Sequence, residues 1–124
     1  MWKNEKSGLL DRDFTYILEA AKKDPNIEEL VLFGSRAMGN YKPGSDVDLA
    51  VKGEIIDRST IRRLSECLNE ELPLPYFFDV LDYNTIENEM LKTHIDRFGV
   101  VIYQKNKDYQ AEFFKAGLVR EKNL

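Results

Sequence analysis

The first feature of the sequence that could do chemistry is Gly34-Ser35 followed, after ten residues, by Asp46-Val47-Asp48. Residues two apart on a strand point to the same face, so the carboxylates of Asp46 and Asp48 can converge on one cation or on two adjacent ones. Mg²⁺ prefers such oxygens and completes its coordination with water and phosphate. We therefore predict that both acids are metal ligands and that the site also needs a substrate phosphate.

Gly34-Ser35 supplies the predicted phosphate site. A glycine at the end of a strand lets the backbone approach a ligand closely, and the N–H groups at the start of the following turn can bind phosphate oxygens. The Ser35 hydroxyl adds a donor. Arg36 and Lys42 add positive charge, or are solvated loop charges instead. Phosphate here and metal at the two acids would bring a nucleoside triphosphate to adjacent strands.

A third acid is needed to hold a second metal or to accept the proton of an attacking hydroxyl. Asp79 lies in an otherwise apolar segment, where a charged residue needs a partner. The alternatives are that Asp79 is a solvent-facing edge-strand residue, or that Asp82 is the third acid. Asp-x-Asp alone is common, but the four fixed positions together are expected by chance only on the order of 10⁻³ times in a chain of this length.

Helices and strands must position these residues. Helical spacing of apolar residues predicts an amphipathic helix over 11–23, and short apolar segments predict strands at 29–33, 46–51, 76–81 and 99–104. Further helices are predicted over 59–72, from the capping-box spacing at 84–87 to about Ile95, and over 107–121. This order predicts an α/β (α+β) fold, in which a small mixed β-sheet is flanked by helices.

The composition limits the classes of function. The 124 residues predict a single domain over 1–124, with a core at about 12–104 and a helical tail at 105–124. A net charge of −4 argues against a general polyanion binder. A single cysteine excludes an internal disulfide, and neither a signal peptide nor a membrane-length apolar run is present, so we expect a cytoplasmic protein.

Several other residues are assigned structural roles. His94, the only histidine, is expected to have a structural or solvent-facing role. Cys67, the only cysteine, is expected to be a buried or half-buried thiol. Arg62-Arg63 is expected on a helix surface, and Tyr76-Phe77-Phe78 is expected in a strand and in the core rather than as a base-stacking platform.

The motif resembles the signature of the minimal nucleotidyltransferases (MNT) of the DNA polymerase beta superfamily. Gly34-Ser35, ten residues, Asp46-x-Asp48 and then Asp79 on a later strand is similar to that pattern, and the resemblance covers about residues 12–104. It implies a mixed sheet with flanking helices. It also implies transfer of a nucleoside monophosphate from a triphosphate to a hydroxyl, with release of pyrophosphate.

The same resemblance implies roles and partners. Two Mg²⁺ ions would lie between the triphosphate and the carboxylates of Asp46, Asp48 and Asp79, with ATP as substrate held at Gly34, Ser35 and Arg36. Short members of the family resemble MntA-type antitoxins, which are paired with an all-helical HEPN ribonuclease toxin, and some adenylylate a tyrosine of that toxin. Our first hypothesis is therefore a metal-dependent adenylyltransferase that acts as the antitoxin of a HEPN-type partner.

Two alternatives remain open. The chain could neutralise its partner by binding alone, although the complete set of three acids favours an enzyme. It could instead modify a small molecule such as an aminoglycoside, which the lack of room for a second domain argues against.

Overall fold

The computed structural model of the protein describes residues 7–106. Within these residues the strands are β1 (Glu29–Phe33), β2 (Val47–Lys52), β3 (Phe78–Asp82) and β4 (Val100–Gln104). The α-helices are α1 (Asp11–Lys22), α2 (Ser35–Met38), α3 (Arg58–Glu66) and α4 (Glu89–Phe98). A π-helical turn, Cys67–Glu71, continues α3, and a 3₁₀ turn, Tyr83–Thr85, follows β3. The predicted fold class, a mixed sheet flanked by helices, is confirmed.

The four strands form one sheet in the order β3-β2-β1-β4. β1 is antiparallel to both β2 and β4, so a chain leaving β1 can return beside it after a short connection. β2 and β3 are parallel, and α3 lies in the connection between them, as a parallel crossover requires. The C-terminal end of β1 therefore lies beside the N-terminal ends of β2 and β4, and β3 begins at this same end of the sheet.

The two faces of the sheet are covered differently. The larger hydrophobic cluster lies on the face that packs against α1 and α3, and it includes Phe14, Leu49 and Leu68. A smaller cluster of Val31, Phe33, Ala50 and Ile95 lies on the other face, beneath α4. Because side chains alternate along a strand, the residues of β2 divide between these two clusters.

Most of the predicted elements are present, with shifted ends. The helix predicted over 59–72 starts at Arg58 and becomes π-helical after Glu66. Asp57 caps this helix: it accepts a hydrogen bond from the Thr60 N–H (2.9 Å). This bond and two hydroxyl hydrogen bonds lower the pKa of Asp57 to about 2.

The helix predicted from the capping-box spacing at Asn84 begins later than expected. Asn84 belongs to the 3₁₀ turn, and Asn88 caps α4 by accepting a hydrogen bond from the Leu91 N–H (3.1 Å). The helical spacing of Ile86, Met90 and Leu91 predicts that Met90 is buried on this helix, but this prediction is wrong, because Met90 is 83% exposed. Leu91 and Ile95, four positions apart, share the helix face that packs on the sheet. Met90 does not lie on that face and points away from the sheet.

The third strand begins at Phe78 rather than at Tyr76. Phe78 is buried as expected, but Phe77 is 60% exposed, so its predicted core position is wrong. Leu10, which fits the helical spacing before α1, is also exposed, because it precedes the helix as its N-cap. Cys67 is buried as predicted, and burial raises the pKa of its thiol.

The helix predicted over 107–121 lies outside the described residues. Within residues 7–106, no helix is both long enough and apolar enough to cross a membrane.

Candidate active site

Gly34 lies where β1 ends and α2 begins, with φ +77° and ψ −157°. Side chains other than glycine's rarely adopt such a positive φ. A Cβ at this position would also overlap the Oδ2 oxygen of Asp48 on the neighbouring strand. The structure therefore brings two residues of the predicted motif into direct contact, and the missing side chain of Gly34 makes room for the carboxylate.

The three predicted acids meet at the same end of the sheet. Asp48 lies in β2, opposite Phe33 of β1 and opposite Asp79 of β3. Asp46 is two residues before Asp48, just before β2 begins. Asp48 is half-buried, whereas Asp46 and Asp79 are exposed. By strand alternation, Asp48 shares the α4-covered face with Ala50 of the smaller cluster.

The carboxylates are close enough to influence one another. The pKa of Asp48 is raised from 3.8 to about 6. Burial is the largest cause, the negative charges of Asp79 and Asp46 act in the same direction, and His94 partly offsets them. A half-buried carboxylate beside two others is unfavourable at neutral pH unless a cation accompanies it. These oxygens are also the ligand type that Mg²⁺ prefers.

This donor set fits Mg²⁺ in kind but does not enclose it. Within residues 7–106, no group of three His, Cys, Asp or Glu side chains is arranged to hold a metal ion unaided. Oxygens from water or from a bound phosphate would have to complete the coordination, as is usual for Mg²⁺.

Asp79 fits the role of third acid better than Asp82. The side chain of Asp82 accepts a hydrogen bond from the Asn84 N–H (3.0 Å) and so caps the 3₁₀ turn. Asp79 is exposed on its edge strand, as one alternative proposed, yet it also lies beside Asp48 in the strand register.

Arg36 is only 3% exposed, so the alternative that it is a solvated loop charge is wrong. Its Nε and Nη2 donate to the Ser45 carbonyl (3.2 and 2.9 Å), and its Nη1 donates to the Ser7 carbonyl (2.8 Å). The guanidinium also lies between the rings of Tyr41 and Tyr76. This geometry favours a positioning role over the predicted phosphate contact, because Ser45 directly precedes Asp46.

The remaining predicted cationic and polar residues are at the surface or its margin. Ser35 is half-buried at the first position of α2, next to Gly34. Lys42 is exposed in the loop that ends at Ser45. Arg62 and Arg63 are exposed on α3 as predicted, and Arg63 forms an ion pair with Asp24 (2.8 Å).

His94 lies nearer to the site than its sequence context indicated. Its ring packs edge-on against Phe33 and beside Phe98, with centroid distances of 6.4 and 5.4 Å. This packing agrees with the structural role that we predicted, but His94 also lies within electrostatic range of Asp48. No sequence motif signals this proximity, because it arises from how α4 crosses the sheet.

The fold agrees with comparisons to known proteins. A family model described as polymerase beta, nucleotidyltransferase matches residues 16–108. The chain therefore belongs to the polymerase beta nucleotidyltransferase family, which confirms the resemblance of the motif to the DNA polymerase beta superfamily. No protein of curated function matches the chain in sequence.

Solved structures share the fold. A chain of a toxin–antitoxin complex with AMP-PNP superposes with a TM-score of 0.60 at 21% identity, over 86% of this chain and 83% of that one. A chain of the tri-AMPylated Shewanella oneidensis HEPN toxin in complex with MNT antitoxin gives a TM-score of 0.59 at 17% identity, over 87% and 86% of the two chains. At these identities the likeness shows the fold.

Proposed function

We propose that the protein is a metal-dependent nucleotidyltransferase that moves AMP from ATP to a hydroxyl, preferably a tyrosine, of a HEPN-type toxin, and so acts as its antitoxin. The observation that carries the proposal is the close approach of Gly34 to Asp48, with Asp46 and Asp79 beside them. Family membership supports the transfer chemistry. The toxin–antitoxin complexes among the similar structures support the partner.

Each residue of the site has a role in this proposal. Gly34 and Ser35 bind the triphosphate through the backbone N–H groups at the start of α2 and the Ser35 hydroxyl. Asp46, Asp48 and Asp79 would hold Mg²⁺, two ions in our proposal, which would neutralise charge on the attacking and leaving oxygens. Arg36 holds the Ser45 carbonyl and thereby fixes the position of Asp46, which lies just before β2.

The reaction is an in-line displacement at the α-phosphorus of ATP. The acceptor oxygen bonds to that phosphorus, the bond from phosphorus to the pyrophosphate oxygen breaks, and pyrophosphate leaves. Asp79 receives the proton of the hydroxyl, since it is exposed and, unlike the other two acids, lies on the outermost strand. The exposed position leaves space for an acceptor that belongs to another protein.

The test uses the protein encoded next to this one, if it has the Arg-x4–6-His motif expected of a HEPN ribonuclease. Incubation with this protein, Mg²⁺ and ATP labelled at the α-phosphate should transfer the label, and intact-mass measurement should show the gain of one or more AMP units on the partner. Asp48→Asn and Asp79→Asn should each reduce the transfer at least a hundredfold, because both remove charge from the cluster.

A matched control is Glu87→Gln, which removes a charge from an exposed position outside the acid cluster and should leave transfer unchanged. If the partner is neutralised with no gain in mass, the protein acts by binding alone and the enzymatic proposal is wrong. Transfer to an aminoglycoside but not to the partner would instead favour the small-molecule alternative.

A further inference from the structure

A groove runs along the outer edge of the sheet, between β3 and α3. Its volume is about 810 Å³, and its walls include Ile61 and Arg62 of α3 and Val80 of β3. The exposed ring of Phe77 lies at one end. Asp79, the acid to which we assign the hydroxyl proton, is among the residues that line the groove, so the groove adjoins the proposed active site at the edge of β3.

Within the described part of the chain, the outer edge of β3 has hydrogen-bond partners for its backbone groups at both ends of the strand, but not in the middle. On the side away from β2, the Asn69 side chain donates to the Phe78 carbonyl (3.0 Å) and accepts from the Phe78 N–H (2.7 Å), as a neighbouring strand would. At the other end, the Thr85 hydroxyl donates to the Asp82 carbonyl (3.1 Å). Among residues 7–106, no such partner meets Val80 on this side.

The direction of the Val80 backbone follows from the register of β2 and β3. The Val47 N–H donates to the Phe77 carbonyl, so alternate residues of β3 from Phe77 onward direct their backbone groups toward β2. Val80 has the opposite parity, and its N–H and C=O point outward like those of Phe78. One residue of a second extended chain could exchange two hydrogen bonds with Val80.

A chain paired at Val80 would bring a side chain to the acid cluster. Its residue opposite Val80 would direct its side chain into the groove beside Ile61, because directly opposed residues share a face. The next residue would point to the opposite face, where Asp79 lies beside Asp48. Neighbouring strands are about 4.8 Å apart, which a tyrosine side chain can span.

The charges of the groove indicate the composition of the incoming chain. Four carboxylates, those of Asp57, Glu66, Asp79 and Asp82, line it against the two guanidinium groups of Arg58 and Arg62. A segment with positive charge therefore complements the groove better than an acidic one.

We propose that this groove binds the acceptor: an extended, positively charged segment of the partner protein, which adds to the edge of β3 at Val80 and places its hydroxyl side chain next to Asp79. The proposal rests on the proposed function for the identity of the acceptor. The binding itself needs no catalysis, so it can be tested separately.

The experiment follows backbone amides by NMR during titration with the peptide Lys-Val-Tyr-Val-Lys. We expect the Val80 amide to shift and its hydrogen exchange to slow. Methylation of the alternate peptide nitrogens that would pair with Val80 should abolish both effects. Phe77→Ala should weaken binding roughly fivefold to tenfold by removing an aromatic contact. Met90→Ala removes an exposed apolar side chain on α4, away from the groove, and should leave binding unchanged.

Three results would overturn the proposal. The first is no change at Val80 with millimolar peptide. The second is a failure of either control: the methylated peptide still binds, or Phe77→Ala and Met90→Ala change the affinity equally. The third is protection of Val80 by ATP and Mg²⁺ without peptide, since the groove would then belong to the nucleotide. If the peptide binds at Val80 and no AMP is transferred to any hydroxyl of the HEPN-type partner, the groove stands and the proposed function fails.

Discussion

At the residue scale, the contact between Gly34 and Asp48 links backbone conformation to the chemistry of the site. Glycine here satisfies two independent needs, a positive φ and space for the Asp48 carboxylate. The positive φ alone would cost another residue about 1–2 kcal/mol. The second need also sets the position of the Asp48 carboxylate, to which we propose a role in catalysis. The position is therefore more sensitive in activity than in stability.

We predict that Gly34→Ala reduces AMP transfer at least a hundredfold, since the new methyl group must displace the Asp48 carboxylate. Gly44→Ala is the matched control: Gly44 has a similar φ of +85°, but a Cβ there meets nothing within 4 Å. Both variants should lose a few degrees in Tm from backbone strain, measured by calorimetry. Equal activity in the two variants would show that the contact with Asp48 is unimportant.

The raised pKa of Asp48 predicts how stability depends on pH. The pKa is about 6 in the folded protein against 3.8 unfolded, so the ionised carboxylate destabilises the fold above pH 6. As pH falls through 6 the group becomes protonated and this cost shrinks, and below 3.8 it is absent. Because Asp48 is half-exposed, solvent screening reduces the cost at neutral pH to about 1 kcal/mol.

Asp48→Asn should therefore raise Tm at pH 7.5 in EDTA and lose that advantage between pH 6 and pH 4. The thermal unfolding of both proteins across this range measures the effect. Glu87→Gln, at an exposed position, should show no such pH-dependent difference. A constant difference in Tm at all pH values would contradict the electrostatic explanation.

At the element scale, the loop between α2 and β2 is held by one buried side chain. Arg36 of α2 bonds the carbonyl groups of Ser7 and Ser45 and stacks between two tyrosine rings. Tyr76, one of those rings, in turn donates a hydrogen bond to the buried Asp13 (2.6 Å). The start of β2, and with it Asp46, is thus connected to the N-terminal end of α1.

We predict that Arg36→Lys lowers the free energy of unfolding by about 2 kcal/mol, measured in urea, because the compact ammonium group of lysine cannot reproduce the three directed hydrogen bonds and the ring contacts of the planar guanidinium. It should also lower kcat, since Asp46 loses its anchor. Arg63→Lys is the control: this arginine is exposed and has a single ion pair with Asp24, so the change should cost less than about 0.5 kcal/mol. Similar losses in both variants would argue against a positioning role for Arg36.

The elements also show what the sequence could predict. Spacing and apolar runs located all four strands of the described region, because each strand is a short segment rich in apolar residues. The start of α4 was misplaced because the sequence offers two caps, Asn84 and Asn88, and the 3₁₀ turn that separates them depends on Asp82. The π-helical end of α3 leaves no comparable trace in residue types.

The site was predictable to the extent that it is a linear motif. Gly34, Asp48 and Asp79 are close together because of strand register, which the motif spacing encodes. The buried state of Arg36 depends on distant residues such as Ser7 and Tyr76, and the proximity of His94 depends on helix packing. Neither can be read from local sequence.

At the scale of the whole molecule, the proposed site needs the protein, the metal and the nucleotide together. The acids concentrate negative charge, and the described residues alone do not complete a metal site. The phosphates of ATP carry negative charge as well, so they would be repelled from the acids if no cation were present. Nucleotide and metal should therefore bind together far more strongly than either binds alone, which is positive coupling between two ligands.

We predict that α,β-methylene ATP, in which the bond that transfer would break cannot be cleaved, raises Tm strongly with Mg²⁺ and little in EDTA. At a hundred times Kd the stabilisation is about 2.7 kcal/mol, which corresponds to roughly 10 °C for a domain of this size. Mg²⁺ alone should give a small shift, and Asp48→Asn should remove the Mg²⁺-dependent part while Glu87→Gln keeps it. Equal stabilisation in Mg²⁺ and in EDTA would show that the nucleotide binds without metal. The three carboxylates would then need another explanation, whereas the groove along β3 would be unaffected.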